Sequence, residues 1–243
     1  MIDFPEFSDA FRAILAQNEL SHFCGEPYCT KLYTLTEHML AVNEHMNLTA
    51  IKEPRAIILR HYADSLTIAP FLTQGARVVD IGCGAGFPSL PLAICRPDLE
   101  ILSLDSTAKR IRYVEQTAQL LGCDRLAAVA MRAEDGGRGE YREQFDVCTA
   151  RAVAALPVLA ELCLPFVRPG GKFLAMKAKK GQEEWESAAR AISRLGGKLI
   201  AAHSIRLRND DAEEERVILE IEKIKHTPPE FPRAFAKISK NPL

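Results

Sequence analysis

Arg77-Val-Val-Asp-Ile-Gly-Cys-Gly-Ala-Gly-Phe-Pro88 is the stretch around which the rest of the chain is arranged. Val78, Val79 and Ile81 are the β-branched apolar residues of a buried strand, Asp80 stands near its end, and Gly82, Gly84 and Gly86 follow at once. Ser89-Leu-Pro-Leu-Ala-Ile then reads as the opening of a helix. A strand, a glycine turn and a helix start form a ligand-cradling unit, because glycine removes side chains that would hold a ligand off the backbone and permits positive φ. A tight connection without a ligand would use the same residues. A nicotinamide dinucleotide would ask for a third glycine at position 87, and Phe87 stands there.

Downstream, apolar strand-like runs at 100–106, 126–133, 145–152 and 171–178 alternate with helical runs at 109–121, 156–167 and 183–195. Such alternation predicts a parallel sheet covered by helices on both faces. The rhythm then breaks. Residues 197–207 and 216–225 both read as strands with only the polar 208–215 between them, which predicts an antiparallel pair at the sheet edge. The acidic run Asp210-Asp-Ala-Glu-Glu-Glu is expected to be a solvated hairpin loop. The expected fold is therefore α/β and Rossmann-like, with a mainly parallel seven-stranded sheet and a C-terminal antiparallel hairpin, as in class I methyltransferases. The acidic residue followed by Gly-x-Gly-x-Gly likewise resembles motif I of S-adenosylmethionine-dependent methyltransferases.

Upstream the signal is helical. Phe7, Phe11, Ile14 and Leu15, then Leu32, Leu35, Met39 and Val42, recur at three-to-four spacing on either side of Cys24-Gly-Glu-Pro-Tyr. An N-terminal helical cap over residues 1–53 is expected, packed on a main domain over 54–243 that ends in a basic, proline-rich tail from His226. Residues 54–70 read as a further helix with Ile57, Ile58, Tyr62, Leu66 and Ala69 as its apolar stripe. Arg55, Arg60, His61, Asp64 and Ser65 fall largely on its other positions, as a solvated face or as a wall of the ligand site.

The 31 Lys plus Arg against 32 Asp plus Glu give a formal charge of −1, so any polyanion must be met by a local basic patch. No apolar run approaches the ~20 residues of a membrane span, and Met1-Ile-Asp-Phe-Pro-Glu lacks the basic start of a secretory signal. A soluble, cytoplasmic monomer is expected. The seven cysteines are scattered, with no Cys-x-x-Cys pair and no histidine at metal spacing, so they read as reduced core residues and no metal site is expected. Cys83, inside the glycine turn, would border the ligand.

In a doubly wound sheet the ligand lies beyond the carboxyl ends of the strands, where strand order reverses. That rule gathers the turn at Gly82, Gly84, Gly86 and Phe87, then Asp105 with Ser106 and Thr107, then Ala133 with Glu134, then Arg151. Asp105 could accept hydrogen bonds from both ribose hydroxyls of an adenosine or serve as a helix cap. Glu134 reads as an adenine-edge neighbour or an exposed strand-end carboxylate. Arg151 could hold a phosphate or a guanine O6, or pair with Glu134 or Asp105. Lys177, Lys179 and Lys180, with Lys109, Arg110 and Arg112, form a candidate phosphate-contacting rim or a solvated charged face.

A closer resemblance covers most of the chain. Asn47-Leu-Thr-Ala-Ile, His61-x-x-Asp64-Ser-Leu, Asp80-Ile-Gly-Cys-Gly-Ala-Gly-Phe-Pro-Ser-Leu-Pro, Leu104-Asp-Ser-x-x-Lys109-Arg, Arg132-Ala-Glu, Ala150-Arg-Ala-Val-Ala, Pro232-Arg233 and Lys240-x-Pro-Leu occur in this order. This succession resembles the glucose-inhibited division protein B family. The resemblance implies a bacterial enzyme that methylates guanine N7 in the 530 loop of 16S ribosomal RNA, as naked RNA or within the small ribosomal subunit. It implies adenosylmethionine contacts at Asp80, Gly82, Gly84, Gly86, Phe87, Asp105, Ser106, Thr107, Ala133, Glu134 and Arg151. RNA contacts are expected at Asn47, Lys109, Arg110, Lys177, Arg233 and Lys240. Cys83, Ala150 and Ala236 depart from the usual Ser or Ala, Ser and Gly of the family.

Methyl transfer from a sulfonium is an in-line displacement that needs alignment in a dry site and no metal. Guanine N7 carries a lone pair and no proton, so no general base is required, in keeping with the absence of an Asn-Pro-Pro-Tyr-like or catalytic cysteine motif after the fourth strand. Arg151 or Arg60 is expected to donate to guanine O6, Asp64 or Glu134 to assist, and His61 and Asn47 to shape the pocket. The rival readings are a small-molecule methyltransferase and a non-catalytic ribosome-assembly protein; an oxidoreductase is opposed by Phe87.

Overall fold

The structure, a computed structural model, describes residues 2–151, 154–178, 184–210 and 213–243. Its strands are β1 (Arg77–Ile81), β2 (Glu100–Asp105), β3 (Leu126–Ala130), β4 (Phe145–Arg151), β5 (Val167–Ala178), β6 (Gly197–Arg208) and β7 (Glu213–Lys223). They form one sheet in the order β3-β2-β1-β4-β5-β7-β6. The first five run parallel. β7 lies antiparallel between β5 and β6, so the second strand of the expected hairpin, rather than the first, docks on the parallel part. The sequence explains the choice. β7 carries Val217, Ile218, Leu219 and Ile221, all buried, as a strand covered on both faces requires. β6 is largely half-exposed and suits an edge.

The helices are α1 (Phe4–Gln17), α2 (Glu26–Met46), α3 (Pro54–Ile57), α4 (Asp64–Leu66), α5 (Ser89–Cys95), α6 (Ala108–Leu120), α7 (Ala133–Arg138), α8 (Leu156–Cys163), α9 (Glu184–Arg194) and α10 (Phe235–Lys240). Neighbouring residues of β1 face opposite sides, which divides the core in two. Val78 belongs with Phe7, Phe11, Leu32, Met39, Ile57 and Tyr62, so α1 to α4 share one apolar core with this face of the sheet. Val79 and Ile81 belong with Leu159, Leu162, Ala188 and Ile192 of α8 and α9.

Between α3 and α4 the chain widens into a π turn, Ile58–Ala63. The apolar stripe is buried as expected, but His61, Asp64 and Ser65 are buried too, which corrects the reading of their face as solvated. A π turn inserts an extra residue and turns the following side chains away from the regular helical face; such bulges gather at functional sites. Here it brings Arg60 and His61 to the carboxyl end of the sheet.

The expected third strand is too long. It stops at Ala130, Met131 N makes a last bond to Asp105 O (3.0 Å), and extended Arg132 caps α7, so Ala133 and Glu134 begin a helix rather than end a strand. The acidic run is exposed at Asp210 and Glu213, as a solvated loop requires, although Asp210 pairs with Arg55 and Glu213 with Arg208; from Glu213 on it belongs to β7, where Glu214 pairs with both Arg60 and Arg216. Lys179, Lys180, Glu183, Asp211 and Ala212, which entered the readings above, lie outside the described residues. Among the described residues no helix is long and apolar enough to cross a membrane.

Candidate functional site

Strand order reverses between β1 and β4, and a crevice of about 560 Å³ opens there beyond the strand ends. Gly82, Gly84, Phe87, Asp105, Ser106, Thr107, Ala133, Glu134 and Arg151 all line it, with Cys83, Arg110, Met131, Leu162 and Phe235. One rule of topology thus assembles most of the residues singled out from sequence. Two do not line it. Asp80 is fully buried beneath the turn, and Gly86 is a packing position, where an added Cβ would lie 2.4 Å from Leu90 Cδ1.

The glycine turn is built for a close, uncharged approach. Gly82, Gly84 and Gly86 have φ of 73°, 58° and 85°. A Cβ on Gly84 would meet nothing nearer than Gly82 O at 4.0 Å, so its missing side chain leaves room on the crevice side. Most of the turn's N–H groups are already used: Gly82 and Cys83 donate to Leu104 O, Gly86 and Phe87 to Cys83 O, and Gly84 to Asp105 Oδ2. A phosphate-cradling turn keeps such donors free, so this one suits a nucleoside without phosphates.

Asp105 is not the cap of α6, a place that Thr107 takes, and its carboxylate instead braces two turns. Oδ2 accepts from Gly84 N (3.1 Å) and Oδ1 from Thr107 N (2.8 Å), tying the β1 and β2 turns together. A carboxylate offers about four acceptor positions, so acceptor capacity remains where the side chain lines the crevice, 3.7 Å from Arg110. Below it, Asp80 is fully buried beside Ser89, and burial pushes its pKa up to about 7, with hydrogen bonding from Ser89 and the charge of Arg151 pulling the other way. Asp105 and Glu134 line the crevice together with Arg110, Arg132 and Arg151, so both signs of charge face a ligand.

A second crevice of about 480 Å³ adjoins the first and shares His61 and Arg151 with it. Ile51, Met176, Val217 and Ile218 supply its apolar wall, and Arg60, Asp64, Lys177 and Arg216 its polar one. Arg151 Nη1 donates to Asp64 Oδ2 (2.9 Å) and Arg60 O (3.0 Å), and its guanidinium lies 5.3 Å from the Phe87 ring centre. It therefore pairs with Asp64, not with the Glu134 or Asp105 weighed from sequence. Arg216 Nε lies 3.5 Å from the other oxygen of Asp64. Burial raises the Asp64 carboxyl, and the two arginines oppose that rise.

His61 joins the two crevices. Its ring stacks on Phe87 at 4.4 Å, and Nε2 lies 2.9 Å from Thr49 Oγ1. Burial, with Arg151 beside it, pushes its pKa down to about 3, so it is neutral at physiological pH. Thr49 sits in a loop fixed by the buried Asn43, which accepts from Thr49 N and donates to Thr49 O, both at 2.9 Å.

The basic residues divide. Lys109 and Arg110 are exposed at the start of α6, and Arg110 reaches the first crevice. Lys177 is turned inward, 9% exposed, with Glu184 at 2.9 Å, so it is not a rim contact. Arg233 is an internal strut on fully buried Glu161 (2.7 and 2.9 Å). Asn47 ends α2 in the left-handed conformation, a capping role, and its neighbour Leu48 lines the first crevice instead. Lys240 is exposed at the end of α10, away from the residues lining either crevice.

Sequence reasoning missed Thr49, Arg216, Glu214, Leu162 and Phe235. Arg216 reads as the first residue of an edge strand, and only the pairing of Ala178 with Arg216 brings it to Asp64. Among the described residues no group of three or more His, Cys, Asp or Glu side chains is placed to hold a metal ion.

The sheet order, the glycine turn after β1, the acid ending β2 and a crevice at the switch point define a class I methyltransferase fold. The chain is similar to the solved structure of M. jannaschii TYW2 in complex with AdoMet, with TM-score 0.51 and 16% identity over 66% of this chain and 75% of that one. Residues 28–211 match the model of the GidB family, rRNA small subunit methyltransferase G, and the chain belongs to that family. Curated relatives named Ribosomal RNA small subunit methyltransferase G include those of Staphylococcus saprophyticus, 43% identical over 86% of this chain and 88% of the relative, and of a Geobacillus species, 44% identical over 85% and 87%.

Proposed function

We propose that this protein transfers a methyl group from S-adenosylmethionine to guanine N7 in the 530 loop of 16S ribosomal RNA, in the cytoplasm. The observation that carries the reading is the pair of adjoining crevices joined by His61 and Arg151, one fitted to a nucleoside and the other to a base. Family membership and the names of the relatives support the substrate class; atom and loop rest on the motif resemblance.

The first crevice fits the cofactor: open space at Gly84, spare acceptor capacity on Asp105, and both carboxylate and guanidinium groups on its lining for a ligand that carries both charges. Gly82, Gly84, Phe87, Asp105, Ser106, Thr107, Ala133 and Glu134 would hold it, with Asp80 acting from beneath through its field. When bound, adenosylmethionine supplies an electrophilic methyl carbon and a thioether leaving group.

The chain's own part is to orient, exclude water and manage charge. Ile51, Met176, Val217 and Ile218 give the acceptor base a dry wall. Neutral His61 and the Asp64-paired Arg151 keep the shared wall from repelling the positive charge that passes onto the purine. No side chain is asked to remove a proton, because N7 has none. Arg60 and Arg216 are the donors for guanine O6 or a neighbouring phosphate. Exposed Lys109 and Arg112 border a shallow groove with Val42, Met46 and Tyr113, and we assign the RNA backbone to that side with Arg110. A target in an RNA loop suits a pocket that takes one base.

The test is transfer of labelled methyl from adenosylmethionine to small subunits, or their RNA, from cells lacking the protein, with the modified nucleoside identified by mass. N7-methylguanosine in the 530 loop is expected. Cofactor binding with label on neither substrate would overturn the acceptor assignment, and absence of cofactor binding would overturn the first step.

A further inference from the structure

The C-terminal tail holds the only large exposed hydrophobic side chain, among the four of the described residues, that lines the first crevice. Leu120, Ile200 and Ile224 lie elsewhere, while Phe235, 41% exposed, opens α10 and lines the crevice together with Leu162, Met131 and Ala133. Isolated surface hydrophobes are ordinary. Phe235 differs because the chain is tied down on both sides of it.

Three anchors set its position. Arg233, two residues earlier, donates its backbone N–H (2.8 Å), Nε (2.9 Å) and Nη2 (2.7 Å) to the carboxylate of fully buried Glu161 on α8. Ile238, three residues later, is fully buried in the α8–α9 core. Further back, Arg142 donates to the carbonyls of Thr227, Pro228 and Phe231, and Arg138 donates to that of Pro232. A buried carboxylate is costly unless paired, so the Glu161–Arg233 pair fixes the tail against α8. The exposed ring is thus presented to the crevice by a built support.

The crevice lining is of two kinds. His61 and Arg151 are shared with the second crevice; Met131, Ala133, Leu162 and Phe235 give the first crevice an apolar lining of its own. That apolar lining matches the flat heterocycle of a nucleoside, since aromatic side chains stack on any base.

We propose that Phe235 is a cofactor-binding residue that covers the heterocycle of the adenosine ligand, so that the C-terminal tail completes the first crevice. The inference rests on the reading of that crevice as a nucleoside site. It makes the tail part of the binding machinery through an apolar contact, in place of the electrostatic RNA-binding role its basic composition implied.

The experiment measures binding of S-adenosylhomocysteine and of adenosine by calorimetry to the full-length protein and its Phe235→Ala variant. Both ligands are expected to bind the variant about tenfold more weakly, with the melting temperature of the free protein unchanged. Phe235→Trp in a Trp185→Phe background is expected to retain affinity and to change its fluorescence on adding S-adenosylhomocysteine. Equal affinity in wild type and Phe235→Ala overturns the inference, as does weakening for S-adenosylhomocysteine with none for adenosine. Failure of the wild type to bind either ligand overturns the nucleoside reading of the crevice itself, and is told apart by being seen without any substitution.

Discussion

The two crevices meet at His61 and Arg151, yet they are made by different means. The first is shaped largely by backbone: three positive-φ glycines, a carboxylate tying two turns, and a fully buried acid beneath. The second is made by side chains from distant parts of the chain, with Arg60, Asp64, Arg151, Glu214 and Arg216 held in one network. The difference teaches where each is vulnerable. A backbone-built site depends on a few local residues, whereas a side-chain network fails wherever one partner leaves another charge unpaired.

The sharpest way to break the comparison is at the floor of the first crevice. Asp80, raised to about 7 from 3.8, costs stability as pH rises through that interval, since the folded form holds its proton longer than the unfolded one. Asp80→Asn is expected to be more stable than wild type at pH 8, by on the order of 4 kcal/mol, with the gap closing by pH 4, while binding S-adenosylhomocysteine less well. Urea unfolding at both pH values decides it; a gap independent of pH would show that Asp80 is not an isolated carboxylate. His61 works in the opposite sense: its pKa is lowered to about 3 from 6.5, so its contribution is complete above 6.5 and is lost as pH falls toward 3.

The next effect belongs to the network. Arg151→Ala should cost about 3 kcal/mol of stability, since it strips a partner from buried Asp64 while leaving Arg216 near it. Pairing it with Asp64→Asn should restore most of the stability and none of the methyl transfer. If the double variant is as unstable as the single one, the ion pair is not what the second crevice depends on.

Two glycines separate shape from packing inside one turn. Gly86→Ala forces a Cβ onto Leu90 at positive φ and should cost roughly 2–3 kcal/mol. Gly84→Ala has open space, so its cost is about 1 kcal/mol from φ alone, and its loss should appear in S-adenosylhomocysteine affinity. Equal melting temperatures for the two variants would contradict this division. The smallest effect is at the lip of the second crevice. Glu214→Gln frees Arg60 and Arg216 and should lower KM for RNA about threefold with a steeper salt dependence; a raised KM would mean that Glu214 positions the arginines rather than occupying them.

Much of the fold could be read in advance because its signals are local. The alternation after Arg77 gave the parallel strands, and the two late strands gave the antiparallel pair. The misses have local causes as well. Ala133 and Glu134 were placed on a strand because Leu126 to Met131 is continuously apolar, and nothing marks Arg132 after it as a cap. Residues 54–70 were read as a regular helix, and a π turn leaves no pattern of its own in the apolar stripe.

We propose that residues 1–53 form a cap on 54–243, with the two sharing one core. Expressing 54–243 alone would expose Ile57, Ile58 and Tyr62 and is expected to give an aggregated product, checked by size exclusion and circular dichroism.

The sequence by itself determined the glycine turn, the acid after the second strand and the switch-point arginine, because each is fixed by its neighbours in the chain or by one topological rule. Only the tertiary structure decided what those groups touch. Arg151 met Asp64, Arg233 went inward to Glu161, Lys177 to Glu184, and Arg216 arrived from a strand inserted between two others. A charge is chosen by whichever opposite charge lies nearest in space, and along the chain those partners stand 87, 72, 7 and 152 residues apart.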